Sequence, residues 1–230
     1  MVRVSIILPV YNEYRNLKNN FPKIYSAAKK LESFEIIIAE DGSTDGSIVL
    51  CREFAKLPGV RVMHREQKSG KGAAIKRSVR AAKGKVIGYM DIDLAVPVSY
   101  TKKAIYEVEK GNKIVIGSRY VAGSETRRNL TRHFLSFGYN GLIFILFGSR
   151  VKDHQCGFKF MEGSYAKRLT GKVRDNYWFF DAEMLIRAER DGVAPYELPV
   201  EWNEQRETKL RPKDVALFMV SMLKFRFSPG

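Results

Sequence analysis

Several things are scarce in this chain of 230 residues. It has two cysteines, Cys51 and Cys156, too few for a disulfide framework, and they read as reduced thiols of a cytosolic protein. Three histidines and two cysteines cannot assemble a zinc set around His154 and Cys156. No run of 18 or more apolar residues occurs, which argues against a membrane-spanning helix. The start, "MVRVSIILPV", enters a strand pattern at once and does not read as a signal peptide. There is no aromatic RNA-binding segment and no zinc-finger spacing, so nucleic acid is not the expected partner. Acidic residues are in deficit: 25 Asp and Glu face 40 Lys and Arg, a net charge of +15. That balance favours anionic partners such as phosphorylated substrates or anionic lipid.

What is present is an alternation. Strand patterns at 2–11, 34–41, 60–66, 85–93 and 112–119 are separated by helix patterns at 15–31, 46–57, 72–84 and 99–111. The helix at 72–84 reads as closed by Gly84 just past its end. Nearly continuous apolar strands between amphipathic helices predict an α/β fold. Its Rossmann-like, mostly parallel sheet should be covered by helices on both faces. Ligands of such sheets bind at the carboxyl ends of the strands. The polar signals sit there: "YNE" after the first strand, "EDGSTDGS" after the second, "MDID" at the fourth.

After residue 120 the alternation stops. Residues 124–148, basic at the start and apolar at the end, read as one or two helices, packed or lying on a membrane surface. Arg127, Arg128 and Arg132 beside the apolar run 142–147 form an expected patch for anionic lipid. The tail 216–227 mixes apolar residues with Lys224 and Arg226 and suits the same surface. No linker divides the chain. It is expected to be one domain, 1–230, with a nucleotide-sugar half (1–120) and an acceptor and membrane-facing half (121–230).

Asp91 and Asp93 are two apart in a strand pattern, which puts both side chains on one face with Cα atoms about 7 Å apart. Such a pair needs a cation or a network of donors, and oxygen ligands suit Mg²⁺ or Mn²⁺. The competing reading is a pair of helix-capping acids. "KSGKGAAIKRS" (68–78) is neither a phosphate loop nor a dinucleotide fingerprint: Arg65 and Ile75 stand where those patterns need glycine. Lys71 and nearby backbone N–H groups can still meet an anion at a helix start.

"SIILPVYNE", "EDGSTDGS", "GKGAAI", "MDIDL" and "GSRY", in this order, resemble the inverting family-2 glycosyltransferases with a GT-A fold. "DHQCGFKFM", "WFFDAEML" and "VEWNEQRETKL" resemble the polyprenyl-phosphate branch, dolichyl-phosphate β-glucosyltransferase above all, with the mannosyltransferases as relatives. The resemblance implies a metal-dependent transfer of glucose or mannose, from UDP-glucose or GDP-mannose, to a polyprenyl phosphate. The enzyme would sit at the cytoplasmic face of a membrane, with a membrane-protein partner left open. It also implies residue roles. Pro9, Tyr11, Asn12, Glu13 and Asp41 resemble the pocket for the nucleotide base and ribose. Asp91 and Asp93 resemble the pair that meets the diphosphate and its metal. Lys71 and Gln155 fall in substrate-binding motifs. Arg119 resembles an arginine near the acceptor phosphate, and Lys209 the late basic residue that reaches the donor diphosphate. Ala95 stands where mannosyltransferase relatives often carry a metal-binding Gln, a departure that agrees with the glucosyltransferase branch.

Asp181 matches the usual base position of related transferases. A phosphate acceptor is already an anion near neutral pH and lowers the demand for a base. Asp181 therefore stands between base catalysis, orientation of the acceptor or a basic neighbour, and a plain helix-start acid like Glu183. Trp178, Phe179 and Phe180 are expected in the core rather than as a stacking platform, with a place bordering the sugar as the alternative for Trp178. Two rival functions remain: an inverting transferase acting on a hydroxyl with Asp181 as base, and a non-catalytic sugar-nucleotide or nucleic-acid binding protein.

Overall fold

The computed structural model describes residues 2–127, 130–203 and 212–227; for 127, 130–137 and 212–216 only the backbone is described. The strands are β1 (Val4–Val10), β2 (Phe34–Glu40), β3 (Val60–Met63), β4 (Val86–Met90), β5 (Ile114–Ser118), β6 (Glu125–Arg127), β7 (Phe158–Glu162), β8 (Tyr196–Pro199) and β9 (Glu201–Asn203). The helices are α1 (Tyr14–Ala28), α2 (Ser47–Phe54), α3 (Lys71–Ala81), α4 (Tyr100–Glu109), α5 (Leu130–Phe147), α6 (Gly163–Lys172), α7 (Phe180–Arg190) and α8 (Pro212–Phe227).

Seven strands form one sheet in the order β3-β2-β1-β4-β7-β5-β8, and β6 pairs with β9 in a second, two-stranded sheet. The large sheet is parallel except for β7, which runs antiparallel to both neighbours. The apolar strands are explained by burial on both faces. Ile6, Leu8, Ile36 and Ile38 pack in the layer with α1 and α4. Ile7, Ile37 and Ile87 face α3, α6 and α7. Period-2 geometry divides consecutive apolar residues between two cores. A third cluster joins α5, α7 and α8 through Ile143, Phe179, Ile186, Phe218, Met222 and Phe225.

The alternation does not end at residue 120. β7 and β8, from the later half, lie in the main sheet beside β4 and β5. β7 was hidden because a charged residue, Lys159, interrupts its apolar run. Among the described residues, 124–148 hold a short strand and a single helix. Gly84 is not a helix cap: α3 ends at Ala81 and Ala82 is already extended. Gly84 is instead where the chain presses on β1, since a Cβ there would meet Ser5 N at 2.5 Å.

Candidate active site

The carboxyl ends of β1, β2 and β4 open on one edge, and their loops are tied to one another. Asn12 takes a left-handed backbone (φ 53), which Asn tolerates better than most residues. Its N–H donates to Ser43 Oγ at 3.0 Å, and its Oδ1 accepts from Thr44 N at 2.8 Å. Glu13 N donates to Ser47 Oγ, and Glu13 Oε2 accepts from Asn16. Tyr11 is part-exposed with Lys68 Nζ 3.8 Å above its ring, a cation–π contact. Pro9 stands in β1 opposite Ala39. Asp41, buried, accepts from Ser69 N, Ser69 Oγ and Gly70 N, so its carboxylate fastens the β2 loop to the start of α3. Gly70 has φ 103, a conformation that favours glycine, and Gly72 lies so close to α7 that a Cβ would meet Phe180 Cβ at 2.6 Å. The "GKG" signature is thus a packing requirement that delivers Lys71 to the edge of the sheet.

The two acids lie one step further than the sequence pattern implies. β4 ends at Met90, and 91–95 form a turn in which Leu94 is left-handed (φ 55). Ile92, between the acids, is buried in the α1/α4 core layer. Asp91 N donates to Gly157 O at 2.9 Å, and Ala95 N donates to Asp93 Oδ1 at 3.1 Å. Asp91 and Asp93 line one pocket with Ala95, Gly157 and Trp202. Lys71 Nζ lies 2.7 Å from Asp91 Oδ1. Burial, and then the neighbouring Asp91 charge, pushes the Asp93 carboxyl up to about 6. Burial would lower the Lys71 pKa, but Asp91, Asp181 and Asp93 outweigh it and raise it.

Beneath this pair lies a network that the sequence reading did not identify. Lys159 on β7 is fully buried, and its Nζ donates to Asp181 Oδ1 (2.8 Å), Cys156 O (2.5 Å) and His154 O (3.2 Å). Tyr89 Oη donates to the same Asp181 oxygen. Burial would raise the Asp181 pKa; the Lys159 and Lys71 charges outweigh it and hold the carboxyl below its usual range. Asp181 is in the first turn of α7, as is Glu183. Glu183 accepts from Arg174 N, Asp175 N and Arg187 Nε, a structural use. Phe179 and Phe180 are core, but Trp178 is 43% exposed and is not.

At the end of β5, Arg119 forms a buried bidentate pair with Asp153 (Nε to Oδ2 and Nη2 to Oδ1, both 2.7 Å). Its guanidinium lies 4.5 Å from the Trp202 ring centroid, so the pair abuts the pocket that Trp202 lines. Gln155 is half-buried in the turn between Asp153 and Cys156. The His154 ring is engaged by Ser149 Oγ at 2.7 Å and Asn140 Oδ1 at 2.8 Å. Burial, and then Asp153, pushes the Cys156 thiol up to about 12. Lys209 and Arg128 lie outside the described residues, as do the side chains of Arg127 and Arg132.

The donor set fits Mg²⁺ or Mn²⁺: two carboxylates on one pocket, hard oxygen ligands whose crowding a cation would relieve. Among the described residues no third His, Cys, Asp or Glu completes a cluster, so such an ion would rely on substrate phosphate and water.

The profile described as glycosyl transferase family 2 matches residues 5–170, from β1 through α6. The chain belongs to this family. Among curated relatives, glycosyltransferase AglD of Haloferax volcanii is 35% identical over 214 residues, spanning 91% of this chain and 34% of its own length. Dolichyl-phosphate β-glucosyltransferases of Trichomonas vaginalis and Saccharomyces cerevisiae are 31% and 30% identical. They are matched over 91% and 90% of this chain and 66% and 69% of their own. The chain thus spans about a third of the archaeal relative and about two thirds of the others. The family-2 fold is shared with glucosyl-3-phosphoglycerate synthase of Mycobacterium tuberculosis, solved with Mn²⁺, UDP-glucose and phosphoglyceric acid. The TM-score is 0.75 at 18% identity, covering 98% of this chain and 79% of that one. The expected mostly parallel GT-A sheet with helices on both faces is what the structure has.

Proposed function

We propose that this chain transfers a hexose, glucose ahead of mannose, from a nucleotide diphosphate sugar to a polyprenyl phosphate, inverting the anomeric carbon. The observation that carries the reading is the pairing of Asp91 and Asp93 on one pocket with Lys71 held against Asp91. The leaving group of such a donor is a diphosphate, and its departure needs positive charge at that place. A bound Mg²⁺ or Mn²⁺ would supply Lewis-acid stabilisation of that leaving group. Lys71 supplies a fixed positive charge beside it. The names of the dolichyl-phosphate relatives support the acceptor class, and UDP-glucose in the mycobacterial neighbour supports the donor class.

The loops 11–13 and 41–47 are the proposed seat of the base and ribose, with Pro9, Tyr11, Asn12, Glu13 and Asp41 assigned there. Arg119, beside the pocket through Trp202, is assigned to the acceptor phosphate, with Gln155 on the adjoining turn. Lys209 is assigned to the diphosphate. Asp181 is not assigned as a base. Its carboxylate is engaged by Lys159 and Tyr89, which suits an acceptor that arrives ionised.

Among the described residues no helix is long and apolar enough to cross a membrane. The reading of a peripheral enzyme rests on α5 and α8. They expose Phe144, Ile145, Leu217, Leu223 and Phe227, with Ile145 77% and Phe227 78% accessible. Lys224 and Arg226 stand in the last turn of α8. Apolar side chains flanked by cations suit an anionic lipid interface, here assigned to the cytoplasmic face. On this reading the whole chain acts as one catalytic unit.

The test is a donor panel of UDP-glucose, GDP-mannose and UDP-GlcNAc with Mg²⁺ or Mn²⁺, with and without a short polyprenyl phosphate. Lipid-linked glucose from UDP-glucose is expected. Transfer to a glycolipid hydroxyl and none to the lipid phosphate would favour the rival acceptor and restore Asp181 as base.

A further inference from the structure

Around Asp91 the backbone of the chain comes unusually close. Asp91 N donates to Gly157 O, and the side chain of Asp91 lies directly over the Gly157 Cα. A Cβ on Gly157 would stand 2.9 Å from Asp91 Oδ1 and would overlap the carboxylate carbon and Oδ2 outright. No left-handed backbone is involved at Gly157, so the demand for glycine is one of space. On the other side, Lys71 Nζ holds Oδ1. The carboxylate is therefore clamped between a lysine and a bare stretch of backbone.

That backbone is itself fixed. Lys159, fully buried, donates to the carbonyls of His154 and Cys156, the latter being the residue before Gly157, and to Asp181 on α7. The antiparallel register of β7 then sets Phe158 opposite Met90, which aligns the turn 154–157 with the exit of β4. An antiparallel strand inserted into a parallel sheet delivers its first residues to the edge where its neighbour's last residues end. Here those are Gly157 and Asp91.

We propose that Gly157 is a positioning residue of the site: it leaves the space in which the Asp91 carboxylate is aimed at the pocket, and any side chain there re-aims or expels it. The inference rests on the reading of Asp91 as a metal ligand, and its consequences are separable from that reading. Two acids that must act together on one ion depend on mutual placement to a fraction of an ångström. A methyl group at 157 does not remove either acid or change any charge; it alters only where Asp91 points.

The experiment compares wild type, Gly157→Ala, Asp91→Ala and the double variant, each by thermal unfolding and by titration with Mn²⁺ alone, without sugar nucleotide. Gly157→Ala is expected to weaken Mn²⁺ binding by tenfold or more, and to add no further loss once Asp91 is already alanine. Its thermal destabilisation is expected to be largely relieved in the double variant, because the clashing carboxylate is gone. That second readout needs no metal and applies even where the single variant is barely folded. Additive thermal losses in the double variant would overturn the inference. So would Mn²⁺ binding by Gly157→Ala equal to wild type. Failure of wild type itself to bind Mn²⁺ would instead overturn the metal reading, leaving the thermal rescue to decide the placement of Asp91.

Discussion

Lys71 Nζ and Asp91 Oδ1 lie 2.7 Å apart, so the first residue of α3 neutralises the first acid beyond β4. The contact joins two motifs twenty residues apart in sequence. It places a permanent cation beside the pair proposed to bind a divalent one. On the proposed reading the two cations would compete for Asp91 and cooperate on a diphosphate.

Lys71→Ala is therefore expected to move two affinities in opposite directions. Free Mn²⁺ should bind a few-fold more tightly, because Asp91 loses its competing partner. The sugar-nucleotide KM should rise about tenfold or more, because a charge beside the diphosphate is lost. Isothermal titration with Mn²⁺ and initial rates against donor concentration check the two signs. A loss in both would mean that Lys71 serves only to hold the fold.

The Lys159–Asp181 pair gives a second expectation. Truncating one partner of a buried ion pair strands the other, typically at about 3–5 kcal/mol. Lys159→Met should cost that much in urea unfolding. The double variant Lys159→Met/Asp181→Leu should cost clearly less, because no charge is left unpaired. Asp181→Asn should lower stability while leaving the shape of the pH–rate profile unchanged. Disappearance of a titrating limb from that profile would make Asp181 a base.

The sequence carries much of this and hides specific parts. Of the five N-terminal strands, β1, β2, β4 and β5 were legible because apolar residues fall on both faces between amphipathic helices, and β3 by its valines on one face. Asp91 and Asp93 were legible as paired charge at a strand end beside other acidic loops, and Lys71 as a cation at a glycine-flanked helix start. β7 was not, because a buried lysine looks like a surface residue until its partner on α7 is known. Asp41 was legible in an acidic loop at a strand end, and Arg119 only through the resemblance carried by "GSRY". Their partners, Ser69 with Gly70 and Asp153, are 28 to 34 positions away, and no local pattern announces them. Tyr89 stands inside an apolar strand run, and nothing local announces that its hydroxyl reaches Asp181.

His154 sets a pH limit on stability. Burial, and then the nearby Lys159 charge, lowers its pKa from the ordinary 6.5 to about 4. The unfolded chain takes up this proton as pH falls below 6.5, and the folded chain does so only near 4. His154 by itself therefore makes stability rise with pH between about 4 and 6.5, by up to about 3 kcal/mol, while Asp93, raised to about 6 in the fold, contributes with the opposite sign below that pH. Urea midpoints measured across pH 4–7 for wild type and His154→Gln check this. The wild-type midpoint should gain on the variant's as pH rises through that window, and a difference between the two that does not change with pH would remove His154 as a source.

The exposed faces of α5 and α8 give a fourth expectation. Replacing Ile145 and Phe227 by Glu should sharply reduce flotation with vesicles containing anionic lipid. The fold should be unaffected, since both side chains are largely solvent-exposed. Unchanged flotation would remove these helices from the membrane reading.

The central claim is that Asp91 and Asp93 jointly hold a divalent ion against the donor diphosphate. Crystals grown with Mn²⁺ and UDP-glucose, measured for anomalous scattering, test it most directly. The account predicts a manganese peak about 2.0–2.3 Å from oxygens of both carboxylates and of the diphosphate. A donor seated in the cleft with no such peak beside the two acids would contradict it.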